Sequence, residues 1–134
     1  MSTRIEKSSA RREFIKINTD VPVRYKFLSK DLDLGADQIF EGTTTCFSGG
    51  GLLLQGRIPS MNWIAALLMD KIQLGVNILL PSCDQPIKAL CRVSWIEAIP
   101  EGSDRCSIGL DFENIEKDMQ DQVLKYLIKS QMTK

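Results

Sequence analysis

A short basic segment near the start of the chain has the chemistry to bind an anion. Residues 11–16 read Arg-Arg-Glu-Phe-Ile-Lys, and Arg12 and Lys16 are four positions apart, with Arg11 beside them. An arginine guanidinium offers a planar fork of donors that matches phosphate oxygens and guanine edges, whereas lysine supplies a point charge. The segment precedes the first predicted strand. Its basic side chains can therefore reach one side of the chain together.

A second group of residues has the chemistry to present backbone donors to a ligand. Residues 46–51 read Cys-Phe-Ser-Gly-Gly-Gly and end a predicted strand. Glycine lets a ligand approach the backbone closely, and backbone N–H groups can line an anion site. The alternative is an ordinary turn, and the absence of a following Gly-Lys-Ser/Thr excludes a P-loop. The candidate residues of this group are Cys46, Ser48, Gly49, Gly50 and Gly51.

Composition excludes several kinds of catalytic site. The chain of 134 residues has 17 basic and 17 acidic residues and no histidine. It therefore has no Ser-His-Asp triad, no Cys-His dyad and no histidine-containing zinc site. A nucleophilic Cys46 beside the basic segment is the remaining catalytic alternative, and a structural thiol is favoured over it. We predict a protein that is not an enzyme and has neither a metal nor a cofactor.

Charge and hydropathy divide the chain unevenly. Residues 1–30 hold eight Lys or Arg against three Asp or Glu, which indicates an anionic partner near that end or a solvated tail. We predict a flexible basic arm over residues 1–10 and one domain over 11–134. The longest apolar run, Trp63–Met69, has seven residues, whereas a membrane helix needs about 20. With no secretory signal at the start, we expect a cytoplasmic protein that does not insert into membranes.

The hydropathy pattern predicts a mainly β fold. Apolar residues alternate with polar ones in several short segments separated by turn residues, which is typical of half-buried strands. Six such strands predict a closed antiparallel barrel, because closure removes the exposed edges of the sheet. The predicted strands cover residues 21–27, 39–47, 52–54, 76–80, 87–95 and 106–112.

Two further segments are predicted to be helical. Apolar residues recur every four positions from Ile115 to Leu127, which indicates an amphipathic C-terminal helix over about residues 115–131, capped by Asn114 and packed on a barrel mouth. The segment 60–72 is apolar on nearly all sides. We predict an inserted helix there that is buried by its own domain or by a second copy of the chain, which would make a homodimer.

The two motifs and the strand pattern together resemble the PilZ domain family of small bacterial barrels. The family carries Arg-x-x-x-Arg before the first strand and a later Asp/Asn-x-Ser-x-x-Gly. This chain has Arg12-x-x-x-Lys16 and Cys46-x-Ser48-x-x-Gly51. The resemblance extends over about residues 11–128 and implies a six-stranded antiparallel barrel with a C-terminal helix.

The resemblance also implies a ligand, cyclic di-GMP, and a role in signalling to a protein partner that controls motility, biofilm formation or exopolysaccharide export. In the family the arginines grip phosphates and stack on guanine, and the Asp/Asn side chain bonds a guanine edge. Lys16 and Cys46 depart from that pattern. Each lost charge-assisted hydrogen bond costs about 1.5–3 kcal/mol, or roughly ten- to a hundredfold in affinity.

Two other functions stay open from the sequence. A degenerate PilZ adaptor would bind no nucleotide and would act through protein contacts or self-association, for which the segment 60–72 is the candidate. Single-stranded nucleic acid is disfavoured as a partner, because aromatic residues make up 7% of the chain and only Phe14 lies within the basic run.

Overall fold

Six strands form a closed barrel in the part of the chain that the computed structural model describes, which is residues 15–30, 32, 34, 38–81, 83–98 and 105–132. The strands follow one another around the barrel in the order β1-β2-β3-β6-β5-β4, and every neighbouring pair is antiparallel. The predicted barrel is therefore confirmed. The strands are β1 (Ile15–Leu28), β2 (Phe40–Ser48), β3 (Gly51–Arg57), β4 (Gln73–Ile78), β5 (Ile87–Ala98) and β6 (Arg105–Ile115).

Alternation along each strand fills the interior of the barrel. In β1, Val21, Val23 and Tyr25 are buried, whereas Pro22 and Arg24 between them are exposed. Because successive side chains of a strand point to opposite faces, this period of two places one apolar set inside. The other strands contribute in the same way, with Phe47, Leu52, Leu54, Leu74, Val76, Ile78, Val93, Ile108 and Leu110 in the core.

A buried tyrosine is hydrogen-bonded to the backbone at the C-terminal end of β3. The hydroxyl of Tyr25 donates to the Arg57 carbonyl over 2.8 Å and accepts from the Arg57 N–H over 2.6 Å. Gly56 lies next to it, and a Cβ there would overlap the Tyr25 ring and hydroxyl. Burial raises the pKa of Tyr25. The hydroxyl therefore stays protonated and satisfies both backbone groups.

Replacing Tyr25 with phenylalanine is expected to destabilise the fold by about 1–3 kcal/mol, because it leaves both Arg57 backbone groups without that partner. Urea denaturation followed by circular dichroism measures the change. Tyr126→Phe is the matched control, since the variant keeps the ring contact with Phe47. Equal stability of the two variants would contradict the assigned role.

The helix predicted over residues 60–72 is shorter than expected. A 3₁₀ turn over Met61–Trp63 leads into α1, which covers only Ile64–Leu68. The chain then turns at Asp70, whose φ of 64° is the left-handed conformation that ends helices. The apolar composition of this segment therefore correctly indicated that part of it is buried, but the predicted length of the helix was wrong.

Burial around α1 is also more one-sided than predicted. Leu67 is fully buried, and Trp63 packs edge-to-face on Phe27 with 5.2 Å between ring centroids. Met61 and Met69 are 66% and 63% exposed. The segment therefore covers the barrel with one side and presents methionines on the other.

The C-terminal helix, α2, covers Lys117–Met132 and packs on the barrel through Val123 and Leu127. It begins later than predicted, because Asn114 pairs with Leu90 in the β5–β6 ladder. Asn114 is therefore a strand residue and not the helix cap. Within the described ranges, neither α1 nor α2 is long and apolar enough to cross a membrane.

Candidate functional site

The second motif forms the hairpin between β2 and β3. Ser48 pairs with Gly51, which leaves Gly49 and Gly50 as the connection. The Ser48 hydroxyl accepts from the Gly50 N–H over 3.1 Å and donates to the Gly51 carbonyl over 3.4 Å. The side chain is buried, with 5% of its surface exposed. In this structure Ser48 shapes the turn.

Gly51 is required by the barrel itself. A Cβ at this position would overlap the carbonyl oxygen of Leu110 on β6. The Phe112 N–H also donates to the Gly50 carbonyl over 2.7 Å, which holds the hairpin against β6. The close approach of two backbones therefore explains why this residue is glycine.

Helix α2 contributes contacts to the hairpin that the sequence motifs did not indicate. The Gln120 side-chain amide donates to the Gly49 carbonyl over 3.0 Å. A Cβ at Gly49 would lie 3.1 Å from the Leu124 side chain. Gln120 and Gly49 are 71 residues apart, and no local signal links them. The hairpin is thus bounded by β6 on one side and by α2 on another.

An irregularity in β2 lies just before Cys46. The β2–β3 register shifts between Thr43 and Cys46, and Thr44 is fully buried at that point. The Thr44 hydroxyl donates to the Cys46 carbonyl over 3.0 Å and accepts from the Cys46 N–H over 3.2 Å. This bulge turns the strand locally, and such features re-aim side chains in sheets.

The two motifs meet in the β1–β2 ladder. Lys16 is paired directly with Cys46, and Ile15 with Phe47. Paired Cα atoms of antiparallel strands are about 4.5–5.5 Å apart. The sequence pattern placed Lys16 before the first strand. In the structure Lys16 lies inside β1. The two departures from the PilZ pattern are cross-strand neighbours, whereas Arg11 and Arg12 lie outside the described residues.

The four thiols differ in burial. Cys46 and Cys83 are half-buried, whereas Cys91 and Cys106 are buried. Burial also raises the pKa of Cys91 well above its usual range. The Cys46 sulfur lies 3.8 Å from the Thr45 hydroxyl. No cluster of three or more Cys, Asp or Glu side chains in the described ranges is arranged to hold a metal ion.

Comparison with known proteins identifies one family and several solved structures with a similar fold. The family model described as PilZ domain matches residues 10–129. Among solved structures, MotI/DgrA, the inhibitor of motility of Bacillus subtilis, is 18% identical with a TM-score of 0.65, covering 92% of this chain and 52% of its own. MrkH of K. pneumonia is 15% identical with a TM-score of 0.65, covering 96% and 51%.

A third structure is a single domain solved with a ligand. The PilZ domain of YcgR from Escherichia coli, solved with c-di-GMP, is 12% identical with a TM-score of 0.53, covering 90% of this chain and 92% of its own. No curated protein matches the chain. The present chain spans about half the length of the MotI and MrkH chains. At these identities the likeness shows a shared fold.

Proposed function

This chain belongs to the PilZ domain family, and from that premise we propose that it is a cytoplasmic receptor for cyclic di-GMP that passes the signal to a protein partner. Binding changes the surface that the partner contacts, and no chemical step is involved. In this proposal the partner controls motility, biofilm formation or exopolysaccharide export.

The register between β1 and β2 is the observation that supports this proposal. It places Lys16 of the first motif opposite Cys46 of the second. The basic segment containing Arg11 and Arg12 leads directly into that point of the ladder. A ligand with two phosphates can then contact the basic segment and the β2–β3 hairpin together. Opposite charge and the guanidinium forks supply the affinity.

Within this proposal the hairpin has a shaping role. Ser48 and Gly51 hold the turn and its packing on β6, whereas Gly49 and Gly50 are half-exposed. Cys46 is half-buried beside them. The ligand would therefore lie along the Cys46 side of β2 and the tip of the hairpin. Lys16 neutralises a phosphate without the bidentate geometry of arginine.

Calorimetric titration with cyclic di-GMP tests the proposal, and Arg12→Ala is expected to weaken binding about ten- to a hundredfold. The physical reason is the loss of one forked, charge-assisted contact to the ligand. Arg4→Ala is the matched control, because Arg4 has the same charge and lies outside the motif. No heat from the folded wild-type chain at millimolar ligand would overturn the proposal.

The position of the ligand is tested by thiol labelling of the same samples. Cys46 and Cys83 are both half-buried, so both should react with a thiol reagent. Cyclic di-GMP is expected to slow the labelling of Cys46 and to leave that of Cys83 unchanged. Binding that protects neither thiol would place the ligand elsewhere on the barrel.

A second candidate function is a PilZ adaptor that binds no nucleotide. It is favoured by the structural explanations for Ser48 and Gly51 and by the two departures, Lys16 and Cys46. The exposed methionines Met61 and Met69 would then contribute to protein contacts or a homodimer. A chain that gives no heat with ligand and sediments as a dimer would satisfy this alternative.

A further inference from the structure

The outer wall of the barrel carries a row of polar side chains that belong to neither motif. Arg24 of β1 is paired with Asn77 of β4, and Asn77 is paired with Lys88 of β5. Adjacent strands are about 4.8 Å apart. The backbones of Arg24 and Lys88 are therefore separated by roughly 10 Å across the wall. Two cations thus flank one amide on the same face.

The next row along the same strands creates a depression. Lys26 is paired with Gly75, and Gly75 is paired with Leu90. Because Gly75 has no side chain, the outer surface of the barrel is lower at Gly75 than at the paired residues on the two neighbouring strands. The resulting groove has a volume of about 730 Å³ and extends across β1, β4 and β5 to the start of α2. Its rim includes Ile39, which is 64% exposed.

Charge in the groove is predominantly positive. The groove is lined by Arg24, Lys26 and Lys88, against the single acidic residue Glu116. Arg24 also lies 3.6 Å from Glu41, but both side chains are more than half exposed. Such surface pairs contribute about 0–1 kcal/mol. Arg24 can therefore exchange that partner for another carboxylate at little cost.

Apolar groups complete the surface. Leu90 and the Met119 side chain of α2 line the groove beside the basic residues. The ring of Tyr25 is 1% exposed and faces the interior, so it offers no stacking surface. Single-stranded nucleic acids are usually held on exposed aromatic rings as well as on cations. Cations beside aliphatic groups fit an extended peptide that carries acidic and apolar side chains on the same side, at every second position.

We propose that the groove over Arg24, Gly75 and Lys88 is a docking surface for an extended acidic segment of a partner protein. In an extended peptide, side chains two positions apart lie on one side and are roughly 7 Å apart. Arg24 and Lys26 have the same spacing along β1, so two such carboxylates can contact them. An apolar side chain on the same side of the segment as the carboxylates then fills the depression over Gly75.

This proposal does not depend on nucleotide binding. It concerns a different face of the barrel from the β2–β3 hairpin, and its test contains no cyclic di-GMP. Failure of the peptide to bind would leave the nucleotide titration unaffected, and the reverse also holds.

The probe is a labelled, blocked peptide of repeated Glu-Ser-Glu-Ser-Leu-Ser, which carries Glu and Leu on one side when extended, titrated by fluorescence anisotropy and by ¹⁵N NMR. We expect saturable binding, weakened by salt, with the largest shifts at the Gly75 and Asn77 amides. Lys88→Glu should lower the affinity at least tenfold, whereas Lys125→Glu, a charge reversal on α2 outside the groove, should change it less than twofold.

A second variant keeps the test independent of charge. In Gly75→Val a branched side chain fills the depression; its Cβ lies 3.2 Å from the flexible end of Leu28, which has to move aside by a few tenths of an ångström. This variant should also lower the affinity about tenfold. No binding at millimolar peptide, equal binding of the same peptide with Lys in place of Glu, or tighter binding of oligo-dT would overturn the proposal.

Discussion

Replacing Gly51 with alanine is expected to lower the free energy of unfolding by about 3 kcal/mol or more. The added Cβ overlaps the carbonyl oxygen of Leu110, so β3 and β6 must separate at the point where they are paired. The bond from the Phe112 N–H to the Gly50 carbonyl is stretched by the same movement. Urea denaturation of the purified variant measures the loss.

Gly49→Ala is the control for that experiment. Its Cβ would lie 3.1 Å from the end of the Leu124 side chain, which can move aside. We therefore expect a cost below about 1 kcal/mol, under the range of about 1–3 kcal/mol for an added group that its neighbours cannot accommodate. If Gly51→Ala proved as stable as the wild type, backbone packing would not be the reason for this glycine.

Combining Lys16→Arg with Cys46→Asp is expected to raise the affinity for cyclic di-GMP about a hundredfold or more. Each substitution supplies one charge-assisted hydrogen bond that the family pattern has and this chain lacks, worth about 1.5–3 kcal/mol. Because Lys16 and Cys46 are paired across the ladder, the two changes should also interact with each other. Calorimetry of the wild type, both single variants and the double variant measures that coupling.

The matched control moves the new carboxylate to the other side of the register shift. Thr43→Asp adds the same charge to β2 three positions before Cys46, where the strand is paired with Pro22 and not with Lys16. It should leave the affinity within a few fold of the wild type, because three residues of a strand separate the new carboxylate from the Cys46 position by about 10 Å. An unchanged affinity in the double variant would mean that these two positions do not contact the ligand.

The barrel could be predicted from sequence because its interior imposes a period of two on every strand. Val21, Val23 and Tyr25 show that period without any tertiary information. The length of α1 could not be predicted in this way. Apolar composition indicates that a segment is buried but does not indicate where a helix ends. The left-handed turn at Asp70 ends the helix, and an Asp in the sequence does not by itself identify such a turn, because most Asp residues have negative φ.

The candidate site was predictable as two separate motifs but not as an arrangement. Neither motif indicates that Lys16 would face Cys46, because the register follows from the three-dimensional ladder. The contact between Gln120 and Gly49 joins elements distant in sequence. Gly51 was interpreted as permitting ligand approach, whereas its neighbour is the Leu110 carbonyl. A glycine in a motif can thus serve the close approach of a ligand or the close approach of another strand, and the sequence does not distinguish the two.

Consecutive residues at the start of α2 contact two different faces of the barrel. The Met119 sulfur accepts the Lys88 N–H over 3.3 Å at the groove, and the next residue, Gln120, holds the Gly49 carbonyl at the hairpin. The first turn of α2 therefore contacts both the groove and the hairpin. Linkage requires any coupling between them to be reciprocal: the factor by which occupancy of the groove changes affinity at the hairpin equals the factor in the opposite direction.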